Sequence, residues 1–419
     1  MQGATRRRSW LLSLACCAIC GVALADELPA VGAPEWDAVF ARSEGWTGGD
    51  ADYSLELGDG RVLWLFADSW IGRIADGRHA PGSRLVNNAM AVHPRPASGS
   101  APALEDVAFH WGAADQQGHP TAWITPDPEL RQTEQGSETH AGAAHPTTWY
   151  WVADGFVAPG TDGDARLYVF LWHIGRRSDN DGGVWNFQSV GGRVAVIENP
   201  HDPVEAWQVR QFNNPHAIGR ETALASAAVR EIHWGSAVRW ADASQTGAND
   251  YVLIFGYRPA GPGRNELVLA RARAAELEQF TRWEFRTRDG WSDDLKDAAG
   301  LAGSLTTEFS IDELPDGKTT RWLMVHSEPW FGPHVLVRGA AQPWGPWSKP
   351  IRIYCVPGVA KNEAYFTYAA KAHAHLSTGD ELLISYIINS HDFAAAVNDA
   401  DIYRPRFIRL PLESVSFEH

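Results

Sequence analysis

The chain has 419 residues, a formal net charge of −15 and 20 tryptophans. This acidic balance, without any basic stripe, argues against nucleic acids and anionic polymers as partners, because both would be repelled. After the first 25 residues, no run reaches about 18 uninterrupted apolar residues, so we predict no membrane span. Tryptophan faces stack on the apolar faces of sugar rings, and their abundance favours a neutral glycan as ligand.

The N-terminal segment 1–25 has the pattern of an export signal. Arginines at positions 6–8 precede an apolar stretch, and an Ala-Leu-Ala tripeptide ends at position 25. We therefore expect export to the periplasm or the extracellular space, with a single domain over residues 26–419. Only Cys355 lies outside this segment, so the mature chain would have no internal disulfide.

The clearest hairpin turns at Gly58-Asp59-Gly60, between two runs of apolar and aromatic residues. Its glycines tolerate the positive φ that a tight turn requires. If Leu57 pairs with Arg61, Asp50 lies opposite Asp68 at the open end, with Cβ atoms about 4.5–5.5 Å apart. Like charges at that distance destabilise a sheet, so the pair indicates a functional site. In the structural alternative, one carboxylate is solvated or caps a loop, or a bulge separates the two.

Four more hairpins follow, each with a densely apolar second strand of the kind buried on both faces. They pair 149–157 with 166–174, 234–240 with 251–257, 308–313 with 320–327, and 368–376 with 381–389. Candidate outer strands and long loops separate the hairpins. The outer strands are predicted at 192–197, 266–272 and 334–337, the long loops at 93–146 and 199–230, and helices only at 272–280 and 223–232.

Five irregular repeats of this kind predict an all-β protein, a five-bladed β-propeller with long loop insertions. A β-sandwich is the alternative, although it would not need five similar hairpins. In a propeller the first strand of each blade lines the axis, so polar residues at one end of these strands converge. The residues in those positions are Asp50, Asp154, His233, Ser236, Glu308, Lys371 and His373.

Five motifs distributed over nearly the whole chain carry a family resemblance. They are WTGGDADYSLELGDGRVLWLFADSWIG (46–72), VNNAM (86–90), GPW (345–347), AKAHAHLSTGDELLISYIINS (370–390) and DADIYRPRFIRL (399–410). In this order they resemble the five-bladed propeller glycosidases that act on furanose sugars, the arabinanase and levansucrase superfamily. The narrower resemblance is to bacterial secreted propellers, long filed as domains of unknown function, that include endo-D-arabinanases. It implies a secreted glycoside hydrolase cleaving furanosidic, D-arabinofuranosyl linkages in a polysaccharide.

The chain departs from that pattern at three places. Asp52 stands where a small or apolar residue is expected, Ala67 where a glycine is usual, and Ala374-His375 where a Pro-Glu pattern is expected. These changes leave the candidate catalytic carboxylates in place but alter candidate substrate contacts.

Glycoside cleavage requires two carboxyl groups, one to donate a proton and one to attack or to activate water. A separation of about 5–5.5 Å gives retention and about 6.5–9.5 Å gives inversion. The hairpin pairing puts Asp50 and Asp68 in the shorter range, with Asp50 as nucleophile and Asp68 as acid/base. The alternative, closer to the broad superfamily, keeps Asp50 as nucleophile and assigns the acid to Glu308, with Asp154 orienting that acid and tuning its pKa.

Further polar and aromatic residues are candidate substrate contacts, each with a structural alternative. Asn87 and Asn88 suit sugar hydroxyls, but such a pair also makes turns. Lys371 and His373 share one face of a strand and would contact ligand, form an ion pair or fill the core. Trp234 is a stacking platform or a core residue, and Ser236 belongs to the same polar ring.

Metal signals are weak. The segment SDNDGG (178–183) has closely spaced oxygen ligands but lacks the distal glutamate of a calcium loop. No HExxH motif occurs, and the one CxxC pair lies in the export signal, so we expect no catalytic metal or cofactor and at most a structural calcium. We expect a monomer whose partner is a glycan substrate. A non-catalytic glycan-binding propeller and a transglycosylase are the competing functions.

Overall fold

The computed structural model describes residues 28–128, 148–159, 164–177, 186–225, 230–241, 251–261, 263–313 and 322–417. The predicted export signal and the candidate calcium loop lie outside these residues. Across the described ranges, no helix combines the length and the apolar character needed to span a membrane.

The strands are short to medium in length and, in chain order, are β1 (Val31–Gly32), β2 (Glu44–Gly49), β3 (Tyr53–Glu56), β4 (Arg61–Phe66), β5 (Ser69–Ala75), β6 (Arg78–His79), β7 (Arg84–Val86), β8 (Ala89–Pro94), β9 (Ala108–His110), β10 (Thr148–Pro159), β11 (Ala165–Arg176), β12 (Phe187–Ile197), β13 (Val209–Asn213), β14 (His233–Ala241), β15 (Tyr251–Gly261), β16 (Arg264–Arg273), β17 (Glu284–Arg286), β18 (Trp291–Ser292), β19 (Phe309–Glu313), β20 (Trp322–Ser327), β21 (His334–Ala340), β22 (Ile351–Cys355), β23 (Tyr365–Ala372), β24 (Glu381–Ser390) and β25 (Pro405–Pro411). The α-helices are α1 (Pro34–Phe40), α2 (Arg220–Ala225), α3 (Pro357–Ala360) and α4 (Phe393–Asn398).

The strands pair in antiparallel sheets, which confirms the all-β class. Five sheets each contain one of the predicted hairpins: β3-β4-β8-β9, β10-β11-β12-β13, β14-β15-β16-β17-β18, β19-β20-β21-β22 and β23-β24-β25-β1. A further sheet, β2-β5-β6 with β7 on β5, has no counterpart among the predicted hairpins. It forms because the long apolar run after the first turn breaks at residues 67–68, so that β4 and β5 belong to different sheets.

Contacts connect the five hairpin sheets in chain order. β3 packs against β10, β10 against β14, β14 against β19, and β19 against β23. Polar side chains add to this packing: Ser236 Oγ donates to the Thr307 carbonyl at 2.9 Å, joining the third sheet to the segment that enters the fourth. Ser54 Oγ lies 2.6 Å from His373 Nδ1, which joins the first sheet to the last.

The two ends of the described chain meet in the last sheet. β1 pairs with β25 through Val31 and Arg409, and α1 packs on β25. Pro34 in the first turn of α1 pre-sets the helical φ, and acidic residues there suit the positive helix end. The helix buries Phe40 in an aromatic cluster, with ring centroids 4.9 Å from Trp64 and 5.4 Å from Phe407.

The prediction of a helix at 272–280 is wrong. β16 runs to Arg273 and is followed by short 3₁₀ turns at Ala274–Glu276 and Phe280–Arg282. Ala270 and Ala272 are fully buried in the pairing of β16 with β15. The helix propensity of this alanine-rich stretch is therefore overridden by strand pairing.

Phe40→Ala should lower the free energy of unfolding by about 3–5 kcal/mol, because truncating a buried aromatic ring loses its burial and leaves a cavity. Urea unfolding followed by tryptophan fluorescence measures the change. Leu224→Ala is the control, since that side chain is 76% exposed and its loss should cost under about 0.5 kcal/mol. An equal loss of unfolding free energy in both variants would contradict a stabilising role for the packing of Phe40 against Trp64 and Phe407.

Candidate active site

The first hairpin has the predicted register. β3 pairs with β4 through Tyr53 and Leu65, and β2 pairs with β5 through Gly49 and Ser69. Between these two ladders, the Asp50 N–H donates to the Asp68 carbonyl at 3.2 Å. The two aspartates are therefore backbone neighbours at the point where the hairpin divides between two sheets.

The division comes from the backbone of Ala51 and Asp52. Their φ values are 69° and 41°, in the left-handed region that non-glycine residues seldom adopt. The Ala67 N–H donates to the Asp50 carbonyl at 3.0 Å, so the pairing slips at this point instead of continuing as one ladder. Asp50 and Asp68 consequently line an open cleft of about 440 Å³.

Asp50 is hydrogen-bonded by two tyrosines from the far end of the chain. Its Oδ2 accepts from the Tyr368 hydroxyl at 2.7 Å and from the Tyr403 hydroxyl at 3.0 Å. Its Oδ1 is shielded from solvent and has no hydrogen-bond partner in the protein. Burial raises the pKa of Asp50 well above its usual range, and the charges of Asp68 and Glu308 raise it further, while the tyrosine hydroxyls oppose the rise.

Asp68 is held by nitrogen donors. Its Oδ1 accepts from Trp151 Nε1 at 2.9 Å and from Asn87 Nδ2 at 3.2 Å. Burial raises the pKa of Asp68 to about 6, and the two donors limit that rise because they favour the ionised form. Asn87, predicted to contact substrate, thus positions a carboxylate.

Glu308 lines the same cleft and lies directly before β19. Lys371 Nζ is 3.2 Å from Glu308 Oε1 and 3.4 Å from Asp52 Oδ1, and it donates to the Ala369 carbonyl at 2.7 Å. Burial raises the pKa of Asp52 to about 6, against the opposing charge of Lys371. One buried ammonium therefore serves two carboxyl groups, and Lys371 does not itself line the cleft.

Asp154 lies at a break in strand pairing between Val152 and Gly155, and such bulges redirect side chains. Its Oδ2 accepts from the Val238 N–H at 2.8 Å and from Arg239 at 2.7 Å. Burial raises the pKa of Asp154, and Arg239 opposes that rise. The carboxylate predicted to tune the catalytic acid therefore joins the second sheet to the third and is absent from the cleft wall.

Four other predicted contacts also lie away from the cleft wall, with their polar atoms bonded inside the protein. Asn88 Nδ2 donates to the carbonyls of Ile124 and Tyr150. The remaining pairs are Trp234 Nε1 with the His216 carbonyl at 2.8 Å, Ser236 Oγ with the Thr307 carbonyl, and His373 Nε2 with Ser385 Oγ at 2.8 Å.

Aromatic residues that sequence reasoning missed form much of the cleft. Tyr403 reaches Asp50 from the last motif of the family resemblance, 399–410, whereas Tyr368 begins the predicted strand 368–376, two residues before the motif at 370–390. Among the described residues, no group of three or more His, Cys, Asp or Glu side chains is arranged to hold a metal ion. The remaining aromatic wall consists of Trp151, Trp172, Phe187, Tyr257, Phe331, Phe366 and Phe393.

The raised pKa of Asp68 predicts a pH-dependent stability cost. Because its folded pKa is about 6 against 3.8 for the ordinary group, its protonation favours the fold at low pH and this contribution is lost as pH rises from about 4 to 6. Asp68→Asn lacks the titration, so its melting temperature relative to the parent protein should rise across that range and level off above it.

The matched control is Asp59→Asn, in the exposed turn. Partial burial raises the pKa of Asp59, but its bonds to Arg61 lower it overall, so its contribution is present above pH 4 and lost below. Above pH 4 the melting temperature of Asp59→Asn should therefore lie below that of the parent, opposite to the change expected for Asp68→Asn. Melting curves from pH 4 to 7 in which Asp68→Asn gains nothing would contradict a buried, proton-holding pair.

Comparison with solved structures shows a shared fold. A protein from Bacteroides ovatus ATCC 8483, described provisionally as a hydrolase, has a TM-score of 0.63 at 19% identity, over 91% of this chain and 89% of its own. An endo-arabinase from Bacteroides thetaiotaomicron VPI-5482 has a TM-score of 0.37 at 11% identity, over 90% and 98%. An alpha-L-arabinofuranosidase from Lactobacillus brevis has a TM-score of 0.41 at 12% identity, over 88% and 91%. The last two similarities are too low to support an argument about this chain.

No curated protein matches the sequence. A family model does match, over residues 34–412, which include all the candidate site residues. The chain therefore belongs to the family described as Domain of unknown function (DUF5005).

Proposed function

We propose that this protein is a glycoside hydrolase built as a five-bladed β-propeller, cleaving furanosidic, specifically D-arabinofuranosyl, linkages in a polysaccharide. The observation that carries the proposal is the group Asp50, Asp68 and Glu308 on one cleft, because hydrolysis of a glycoside requires paired carboxyl groups. The blade count is supported by the five hairpin sheets, which contact one another in chain order and return to the first through Ser54 and His373.

Asp50 and Asp68 form the catalytic pair of this proposal. Two such carboxyl groups do not ionise together easily, so one proton is shared between them. Burial raises the pKa of both groups, and the charge of Glu308 acts on Asp50 in addition, which supports Asp50 as proton donor and Asp68 as the carboxylate that attacks or activates water. This is the reverse of the roles that the hairpin alone suggested.

The hydrogen bonds engage one oxygen of each carboxyl group. Asp50 Oδ2 accepts both hydroxyl bonds, and Oδ1, which is shielded from solvent, has no partner in the protein. Asp68 receives both of its N–H donors on Oδ1, which leaves Oδ2 for the reacting carbon or a water. Glu308, held by Lys371, is the remaining candidate acid.

The charge of the cleft favours a neutral substrate over an anionic one, because its lining has four carboxyl groups, including that of Glu231, against two arginines, Arg177 and Arg220. The furanose specificity rests on the sequence motifs, and the Bacteroides ovatus protein of shared fold carries the same broad description of hydrolase. We further propose an exported monomer, periplasmic or extracellular, that needs no cofactor beyond at most a structural calcium at 178–183.

Incubation with D-arabinan, L-arabinan and levan, followed by size separation of products, tests the function. We expect an oligosaccharide ladder from D-arabinan. Asp50→Asn and Asp68→Asn should each lower the rate by about 10²–10⁴-fold, the usual worth of a positioned acid or base. Asp59→Asn should leave it unchanged. Binding of a polymer without any products would instead favour the glycan-binding alternative, and larger products at high sugar concentration would reveal transglycosylation.

Aryl furanosides with good leaving groups test which carboxyl is the acid, because such substrates need little protonation. Asp50→Asn should recover most of its lost rate on these substrates, whereas Asp68→Asn should not. A Glu308→Gln variant that recovers in the same way, beside an Asp50→Asn that does not, would move the acid to Glu308. Activity of Asp68→Asn near that of the parent would remove Asp68 from the chemistry.

A further inference from the structure

The segment after β20, Glu328–Pro333, carries two exposed aromatic side chains, Phe331, which lines the cleft, and Trp330, which precedes it in the chain. Trp330 is 64% exposed and Phe331 47%. Among the tryptophans that the structure describes, every other one is buried or half-buried. Contact between so large an apolar surface and water is unfavourable, and exposed apolar patches next to a cleft commonly bind a ligand.

The backbone holds both rings in place. Trp330 and Phe331 have φ values of 63° and 59°, a left-handed conformation that is unfavourable for a non-glycine residue. The Glu328 carboxylate secures the base of the segment, with contacts of 2.6 Å to His334 and 2.8 Å to Arg352. Strained backbone of this kind persists where the surroundings determine it, often at binding sites.

The Trp330 ring also has a support of its own. It lies against Gly263, where an added Cβ would come within 2.7 Å of the ring. Only a glycine, here with φ +59°, allows the ring to lie this close to the turn between β15 and β16. The indole is therefore presented rigidly, which reduces the entropy lost when a ligand binds.

Aromatic contacts run inward from this point to the catalytic carboxyl. Phe331 lies 4.5 Å from Phe366 between ring centroids, and Phe366 lies 5.5 Å from Tyr368. Tyr368 donates to Asp50 at 2.7 Å. Phe331, Phe366 and Tyr368 all line the cleft, so an apolar track leads from Asp50 to Phe331, the chain neighbour of the exposed Trp330.

We propose that Trp330 is an outer glycan subsite, and that a polysaccharide chain crosses the cleft along this track with a sugar ring stacked on the indole. The inference rests on the proposed hydrolase function and extends it: an outer subsite binds a sugar beyond those at the carboxyl groups, so it favours a polymer over a single glycoside as substrate.

Binding of D-arabinan, measured by affinity electrophoresis in the Asp68→Asn background, tests the subsite without relying on turnover. Trp330→Ala should weaken binding by about tenfold, the effect of losing one aromatic anchor. Trp330→Phe should retain most of the affinity because it keeps a stacking face. Leu104→Ala removes a 47% exposed side chain that does not line the cleft and should change nothing. An unchanged affinity in Trp330→Ala, or no binding of the polymer at all, would overturn the proposal.

Kinetics separate failure of the subsite from failure of the function. In the active enzyme, Trp330→Ala should raise KM about tenfold for D-arabinan and leave KM for a single-sugar aryl furanoside unchanged. Equal changes for both substrates would reject the outer subsite while keeping the hydrolase. No cleavage of either substrate by the parent protein would reject the hydrolase, and the electrophoresis result would then decide the subsite alone.

Discussion

The break in strand pairing at Ala51 and Asp52 determines where the reactive groups lie. On one side of it the chain belongs to the β2-β5 sheet, and on the other to the β3-β4 sheet. A continuous ladder would have enclosed Asp50 and Asp68 among neighbouring side chains, whereas the fork opens them to a cleft. Both residues of the break are almost fully buried, and Asp52 is tied to Lys371, so the surroundings hold a backbone conformation that is unfavourable by itself.

Buried charge on the inner strands is neutralised by shared cations. Lys371 lies between Glu308 and Asp52, and Arg239 lies between Asp154 and Asp312, 2.9 Å from the latter. Removing one partner from such a group strands a buried charge and costs about 3–5 kcal/mol. These cations connect neighbouring sheets. The buried polar residues therefore have two different roles: Asp154 and Lys371 join sheets through ion pairs, Asp50 and Asp68 line the cleft, and Glu308 does both.

The predictable parts of the structure are those that local chemistry decides. The turn at Gly58-Asp59-Gly60 and the apolar alternation around it were sufficient to align Asp50 with Asp68, and the five hairpins followed from the same signals. The direction of a polar side chain after a bulge depends on packing from the next sheet. The sequence pattern therefore predicts Asp154 and His373 at the site, although neither side chain lines the cleft. Tyr368 and Tyr403 are 318 and 353 residues from Asp50, and no pattern in a single sequence links residues so far apart.

Those two tyrosines connect the architecture to the chemistry. Burial and neighbouring charge raise the pKa of Asp50, and the hydroxyl bonds from Tyr368 and Tyr403 oppose the rise, so both tyrosines act directly on the protonation of this carboxyl. Burial also raises the pKa of Asp68, to about 6, and two carboxyl groups so close together do not ionise together easily. A pair that holds one proton is the state in which one carboxyl donates while the other accepts. Tyr368 belongs to the last sheet and Tyr403 to the segment leading into β25, while Asp50 belongs to the first hairpin. The closure of the last sheet against the first is therefore a condition for the proposed catalysis as well as for the fold.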